Sequence, residues 1–368
     1  MHADFSSVLK QRVNAFLATN KSGRFANSKL LFKSIFMVSL YLTPIVLMYI
    51  FPPTTFLGYF TTYICSGIGM LGFGMGVMHD ANHGSYWENK KLNFLFGSVL
   101  NLIGASELTW RIQHNTLHHT FTNIEGYDED IEVPVVLRFS PNGKKRWIHN
   151  FQAYYFWLLY GLTTIIWVFY KDFVSLARYR KMGYIKTDEA KNKEVRKIII
   201  WKVIYFSYIV IVPMFIFSNM AWEILGAWLL MHFFCGMALS LIFQAAHVMT
   251  ANEFPMPDDK GNVEQNWLVH QIETTTNFAP YNKVLHWYIG GLNYQVEHHL
   301  FPNIAHIHYP KLSPIVKETM EEFGFEYKVK RTFTGALIDH VKMLNRVGRM
   351  DEDPKFTETQ LSKMNLTV

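Results

Sequence analysis

The sequence predicts an all-α integral membrane protein with four transmembrane helices and a helical cap on one membrane face. Three observations carry that reading: an apolar composition, two pairs of uncharged runs, and histidines gathered at the ends of those runs. Of the 368 residues, 50% are hydrophobic, 16% aromatic and only 17% charged, against roughly a quarter charged in soluble domains. No Asp, Glu, Lys or Arg occurs from Ser34 to His79. One helix needs only about 20 residues to cross the bilayer core, so this run folds back on itself, with Phe51-Pro52-Pro53-Thr54-Thr55 as the turn. The first two spans are therefore expected at about 31–50 and 56–78.

A second pair follows. Val203–Trp222 and Ile224–Asn252 are uncharged, and Ser218–Ala221 interrupts the apolar character. The spans are expected at about 203–222 and 224–247. Residues 150–170 are also long enough to cross, but a lone crossing there would carry the basic C-terminal segment to the opposite face. That segment is therefore expected along the interface, with its Trp and Tyr at headgroup level. Residues 92–106 are apolar but too short to span.

The net charge of +6 does not imply nucleic acid. Lys10, Arg12, Lys21, Arg24, Lys29 and Lys33 precede or open the first span, and a dense basic run occupies Lys171–Lys202. The turns at 51–55 and 218–223 carry no Lys or Arg. This is the positive-inside distribution. It puts residues 1–30, 79–202 and everything from His247 in the cytoplasm. Residues 31–310 then form the membrane and catalytic domain, and 311–368 a C-terminal cytoplasmic segment whose end, from about Asp351, is polar and expected to fray. Residues 1–30 have no secretory signal pattern. Cys65 and Cys235 fall inside apolar spans and are expected to be unpaired, buried small hydrophobes. Gly67, Gly69, Gly72, Gly74 and Gly76 in the second span serve either close helix packing or room for a ligand chain.

Sixteen histidines are present, and their placement is patterned. His79 and His83 form HDANH at the inner end of the second span. His114, His118 and His119 form HNTLHH, and His247 ends the fourth span. His298 and His299 sit in QVEHHLFP. Positions i and i+4 of a helix share a face, whereas His119 points about 100° from His118 and can serve a second ion. Topology drawn from charge alone brings all eight to one face. Eight imidazoles exceed what one zinc takes and suit two ions of zinc, copper, iron or nickel. Two redox-active irons beside a membrane suit O2 activation against an apolar substrate. A membrane cytochrome holding haem between histidine pairs is disfavoured, because only His232 lies deep in a span. A transporter, which keeps polar ligands at the midplane, is disfavoured too.

HDANH, HNTLHHTFTN and QVEHHLFP resemble the three histidine boxes of membrane fatty acid desaturases. The order, spacing and placement agree over roughly residues 30–310. Gln295, heading the third box, and GGLNYQVEHHLFP from Gly290 are similar to the front-end subgroup, which desaturates between an existing double bond and the carboxyl end. The first two boxes look most like bacterial and cyanobacterial Δ6-type enzymes. The resemblance implies a non-haem di-iron site in the cytoplasmic cap, O2 as co-substrate and two electrons per turnover. Carried over residue by residue, the metal ligands are His79, His83, His114, His118, His119, His247, His298 and His299. Gln295 stands where other desaturases have a ninth histidine. It implies a fatty acyl substrate carried on CoA, ACP or a lipid. The fused cytochrome b5-like domain of many eukaryotic relatives has no counterpart here, so a separate ferredoxin or cytochrome b5 is the expected donor. Hydroxylation, or desaturation at another position or of a sphingoid chain, is the kept alternative; a metal or haem protein without oxygenase activity is the distant one. Asp80, Asp128, Glu129, Asp130 and Glu297 are candidate acceptors for ligand ring N–H groups. His2, His149, His232, His270, His286, His306, His308 and His340 are expected to be surface or satisfied core histidines, with His306 and His308 the least secure.

Overall fold

A computed structural model describes residues 2–132, 135–257 and 266–350. The polar end from Asp351 lies outside them, and so does the His2 side chain. Among the described residues, five helices are long and apolar enough to cross a membrane: Ser28–Ile50, Phe56–Asn82, Trp147–Lys181, Asp188–Ile216 and Ser218–His247. The third contains the segment expected along the interface. The fourth starts at Asp188 rather than near Val203, so the basic run is itself helical.

The first two helices form a close hairpin. Asn27 caps the first by accepting from the Lys29 and Leu30 N–H groups at 3.0 and 3.2 Å, and Thr55 caps the second through Gly58 N at 3.2 Å. Ser66 Oγ donates to the Tyr41 carbonyl at 2.7 Å. The glycines of the second helix divide by role. A Cβ at Gly67 would strike Met231 and Cys235, one at Gly69 the Leu40–Tyr41 backbone, and one at Gly72 Met37. At Gly74 it would meet nothing within 4 Å, and Gly74 lines a large cavity. Packing and room for a ligand are thus both present, at different positions.

The last long helix packs against the second and the third. Thr164 Oγ1 donates to the His232 carbonyl at 2.8 Å, and Thr163 and Ser240 hydroxyls meet at 2.9 Å. Outward faces are apolar: Phe32, Phe215 and Trp222 are 68%, 80% and 80% exposed, as lipid contact requires. Phe94 and Leu95, in the short apolar segment after the first box, are also exposed. Both cysteines are free; Cys235 is buried, but Cys65 lies on the outer face, contrary to expectation.

Polar anchors fasten the non-spanning segments to this bundle. Lys202 Nζ lies 2.8 Å from Asp172 Oδ2 and donates to the Gly104 carbonyl at 2.7 Å. Asp172 also accepts from Thr109 Oγ1 at 2.8 Å. A buried pair with its remaining valences satisfied fixes geometry more than it adds stability. Here it sets where the helical stretch bearing the second box begins. Beyond His247, Asn277–Phe278 and Val329–Lys330 form a two-residue parallel bridge. Asn277 Oδ1 accepts from Val296 N at 2.8 Å and its amide donates to Glu297 Oε2 at 2.8 Å, which holds the helix Gln295–Leu300. The helix Phe333–Arg349 closes over the third long helix: Gln152 Nε2 donates to the Leu344 carbonyl at 2.8 Å, and Tyr160 Oη meets His340 Nε2 at 2.8 Å.

Candidate metal centre

The seven box histidines and His247 meet at one end of the bundle. Two turns widened into π-helix, Gly74–Met78 and Ile112–His118, deliver the first two boxes; such bulges concentrate at functional sites. His79, His83, His114 and His298 form one group of ring nitrogens within 4.8 Å of one another, and His118, His247 and His299 another. His119 lies between, its ring 4.6 Å from that of His298 and 4.5 Å from that of His299. His298 and His299 diverge into different groups, as a helical path predicts. His114 and His118 are stacked neighbours, 5.3 Å apart; they fall in different all-histidine groups and share a further one with Asp130.

The second box also supplies the hinge that brings His247 in. Asn123, the last residue of HNTLHHTFTN, takes a left-handed φ of 61°, a conformation asparagine tolerates better than most residues. Its amide donates to the His247 carbonyl at 3.1 Å, and its N–H to Asp128 Oδ2 at 2.9 Å.

These rings are buried, and their inward nitrogens have no protein partner. His83 Nε2, His118 Nε2, His298 Nε2, His299 Nε2 and both nitrogens of His119 and His247 lack hydrogen bonds, while His79 Nε2 and His114 Nε2 aim at one point, 3.1 Å apart. Buried polar atoms are rarely left so. A set of converging neutral imidazoles fits a pair of transition-metal ions. Burial first, then repulsion by neighbouring rings, holds His83, His119, His298 and His299 well below the usual histidine range, which keeps their lone pairs free. His118 goes the other way. Burial opposes its charge, but Asp128 and Asp130 outweigh that and push it up to about 9.

Three outward nitrogens are held, whereas His79 Nδ1 has no hydrogen-bond partner. His118 Nδ1 faces Asp128 Oδ1 at 3.0 Å and Asp130 Oδ2 at 3.4 Å. His299 Nδ1 faces Gln271 Oε1 at 2.8 Å, and His298 Nδ1 faces Tyr309 Oη at 3.3 Å. Such partners set tautomer and ring direction. Of the five candidate acids, Asp80, Asp128 and Asp130 reach the rings. Glu129 instead accepts from Tyr179 Oη at 2.6 Å, and Glu297 from Tyr327 Oη and Asn277. Gln271 and Tyr309 escaped sequence reading, since neither lies in a box and no spacing marks them. Gln295 is buried one turn before His298 and His299, and its Nε2 has no partner.

The other histidines separate cleanly. His149, His232, His308 and His340 have both ring nitrogens hydrogen-bonded, and His286 Nδ1 faces Asn293. His270 is buried with neither nitrogen bonded. His306 is tied to Asp80 at 2.8 Å.

Beside His79 and His114 opens a cavity of about 1060 Å³, at the upper limit of the roughly 300–1,000 Å³ of small-molecule sites. Its lining runs from Lys144 and Arg146 past the two rings to Met70, Ile103 and His232 among the spanning helices.

Converging histidines at one end of a bundle of apolar helices, beside a deep and partly apolar cavity, fit a class: membrane enzymes that oxidise hydrocarbon chains. Residues 54–331 match the fatty acid desaturase family. The chain is 34% identical over 346 residues to the sn-1 linoleoyl-lipid 6-desaturase of Synechocystis sp., covering 94% of this chain and 96% of that protein. It is 32% identical to the enzyme of the same name from Arthrospira platensis, over 93% of this chain and 92% of that one. It is 33% identical to an acyl-lipid (8-3)-desaturase of Physcomitrium patens, over 94% and 72%. The chain belongs to the fatty acid desaturase family and is an oxidoreductase.

Proposed function

We propose that this protein is an O2-dependent front-end desaturase that places a cis double bond on the carboxyl side of an existing one in a lipid-linked fatty acyl chain. The observation that carries the reading is the convergence of eight imidazoles at one end of the bundle, two of which, His79 and His114, line a cavity that is charged at one end and apolar at the other. Two cyanobacterial relatives named for sn-1 linoleoyl-lipid, each similar over nearly the whole chain, favour a glycerolipid carrier over CoA or ACP.

The residues divide the work. His79, His83, His114, His118, His119, His247, His298 and His299 would hold two irons, with Gln295 beside them offering a neutral amide. Bound there, a di-iron pair supplies the O2 activation and one-electron chemistry that side chains lack. Asp128, Gln271 and Tyr309 fix ring orientation. Trp110, stacked on His114 at 4.6 Å, walls the cavity beside the centre. Met70, Met75 and Ile103 receive the hydrocarbon and exclude water, and Lys144 and Arg146 suit an anionic headgroup. In balance, the chain loses two hydrogens from adjacent methylenes while O2, two electrons and two protons become two waters. A ferredoxin or cytochrome b5 supplies the electrons, and the basic Lys171–Lys202 stretch suits an acidic carrier.

Four crossings with a cytoplasmic centre are supported by parity. Three long helices separate His119 from His247, yet the His118 and His247 rings lie 4.7 Å apart. An even number of those three must cross. The helix Trp147–Lys181, whose last turns carry Lys171, Asp172, Arg178, Arg180 and Lys181, is the one assigned as not crossing, packed by Thr164 against His232. Residues 1–30, 79–202 and those from His247 onward are then cytoplasmic.

The test is expression in a host fed defined fatty acids, with double bonds mapped by mass spectrometry. A new double bond on the carboxyl side of the existing one is expected; a hydroxylated product overturns the chemistry. Two irons per purified chain and no Soret band are expected alongside.

A further inference from the structure

Lys33 stands at the start of the first long helix, where a lysine ordinarily reaches the headgroups. It does not do so here. It is 1% exposed, and its ammonium points inward, over the Trp287 ring at 5.7 Å. Burying an ammonium costs several kcal/mol unless it is paired, and no carboxylate lies within ion-pair distance of Lys33 Nζ among the described residues. Methionine would fill the same volume at lower cost. The surroundings are shaped for the ammonium nonetheless. A Cβ on Gly76 would sit 2.6 Å from Nζ, and Gly290, at a φ of 66°, packs directly on Gly76. Both close approaches require glycine.

The partner of Lys33 is His306. Nζ lies 3.4 Å from His306 Nε2. An ammonium only donates, so Nε2 must accept and the ring proton must sit on Nδ1. That Nδ1–H donates to Asp80 Oδ2 at 2.8 Å, and the His306 main-chain N–H reaches the same oxygen at 3.2 Å. The other oxygen, Asp80 Oδ1, lies 3.9 Å from His79 Nδ1, beyond hydrogen-bond reach, and is the nearest acid to a buried nitrogen that has no hydrogen-bond partner. The series runs from the first span, through the loop after the third box, into the first box.

We propose that Lys33 and His306 are positioning residues for the metal centre. Lys33 faces the lone pair of His306 Nε2, His306 clamps Asp80, and the clamped carboxylate biases the His79 ring by charge across 3.9 Å rather than by a hydrogen bond. This rests on the reading of the histidine cluster as an iron centre. It explains a buried lysine that neither packing nor positive-inside anchoring explains, and it makes the third-box loop part of the support for a first-box ligand.

The experiment is Fe(II) affinity, measured by chelator competition on purified, detergent-solubilised full-length protein: wild type, Lys33→Met, His306→Gln and the double variant. Outer-shell partners of this kind are worth roughly 10–100-fold in metal affinity. Each single variant is expected to weaken Fe(II) binding by about that factor. The double variant is expected to be no weaker than His306→Gln, because both act through one contact. Lys33→Arg, which keeps an N–H donor, is expected to bind more tightly than Lys33→Met. Wild-type affinity in Lys33→Met, or losses that multiply in the double variant, overturns the proposal. If Lys33→Met does not fold, His306→Gln decides alone, and affinity within about threefold of wild type overturns it. Wild-type protein that binds no iron refutes the metal-centre reading instead, a distinguishable outcome.

Discussion

Gln271 Oε1 lies 2.8 Å from His299 Nδ1 and also accepts from Thr122 Oγ1 at 3.0 Å. One amide oxygen thus joins the third box to the second. An oxygen acceptor there requires the proton on Nδ1 and leaves Nε2 as the lone pair facing the other rings. Gln271→Leu keeps the approximate volume and removes the acceptor. It is expected to lower iron affinity or turnover roughly 10–100-fold, measured by iron content and product yield in the same preparation.

His299→Ala removes a ring that touches His118, His119 and His247. It is expected to abolish turnover while leaving the protein in the membrane fraction, since the spanning helices do not depend on that ring. Product formation at wild-type rate would remove His299 from the site.

Two glycines a half-turn apart should respond oppositely. Gly74→Leu projects into the cavity and is expected to reduce turnover of long acyl chains while iron content holds. Gly72→Leu meets Met37 and Tyr288 and is expected to cost about 1–3 kcal/mol of stability through overpacking. Chain-length profiles and thermal unfolding in detergent separate the two effects.

Acid should loosen the attachment of the helix Phe333–Arg349. Burial lowers His340 to about 4, against the small upward pull of the Val248 carbonyl. The unfolded ring takes up a proton below about 6.5, so the folded state is favoured fully above that pH and loses ground as pH falls from 6.5 toward 4. The loss attributable to His340 is about 2 kcal/mol at pH 5. His340→Gln is expected to flatten the acid limb of a Tm–pH curve; an unchanged slope would exclude His340 as its source.

The first helical hairpin and the boxes were readable because their signals are local. An uncharged run from Ser34 to His79 leaves few alternatives, and i, i+4 histidines declare a shared face. What sequence could not show is what distant segments contribute. Gln271 and Tyr309 become ring partners only after the chain returns, and Lys33 reads as an ordinary flanking cation until its burial is seen. The five acids illustrate the same limit: Asp128 and Glu129 are adjacent, yet one holds His118 and the other turns to Tyr179.

The eight converging rings come from chain segments as far apart as His79 and His299. Any ion held among them closes loops that enclose most of the protein. Loop closure is costly to the unfolded chain and free to the folded one, and metal binding free energy becomes folding free energy when the site exists only in the folded state. In a chain whose two cysteines are unpaired, iron would thus act as a cross-link as well as a catalyst, and stripping it should release the cap from the membrane bundle before the bundle itself comes apart.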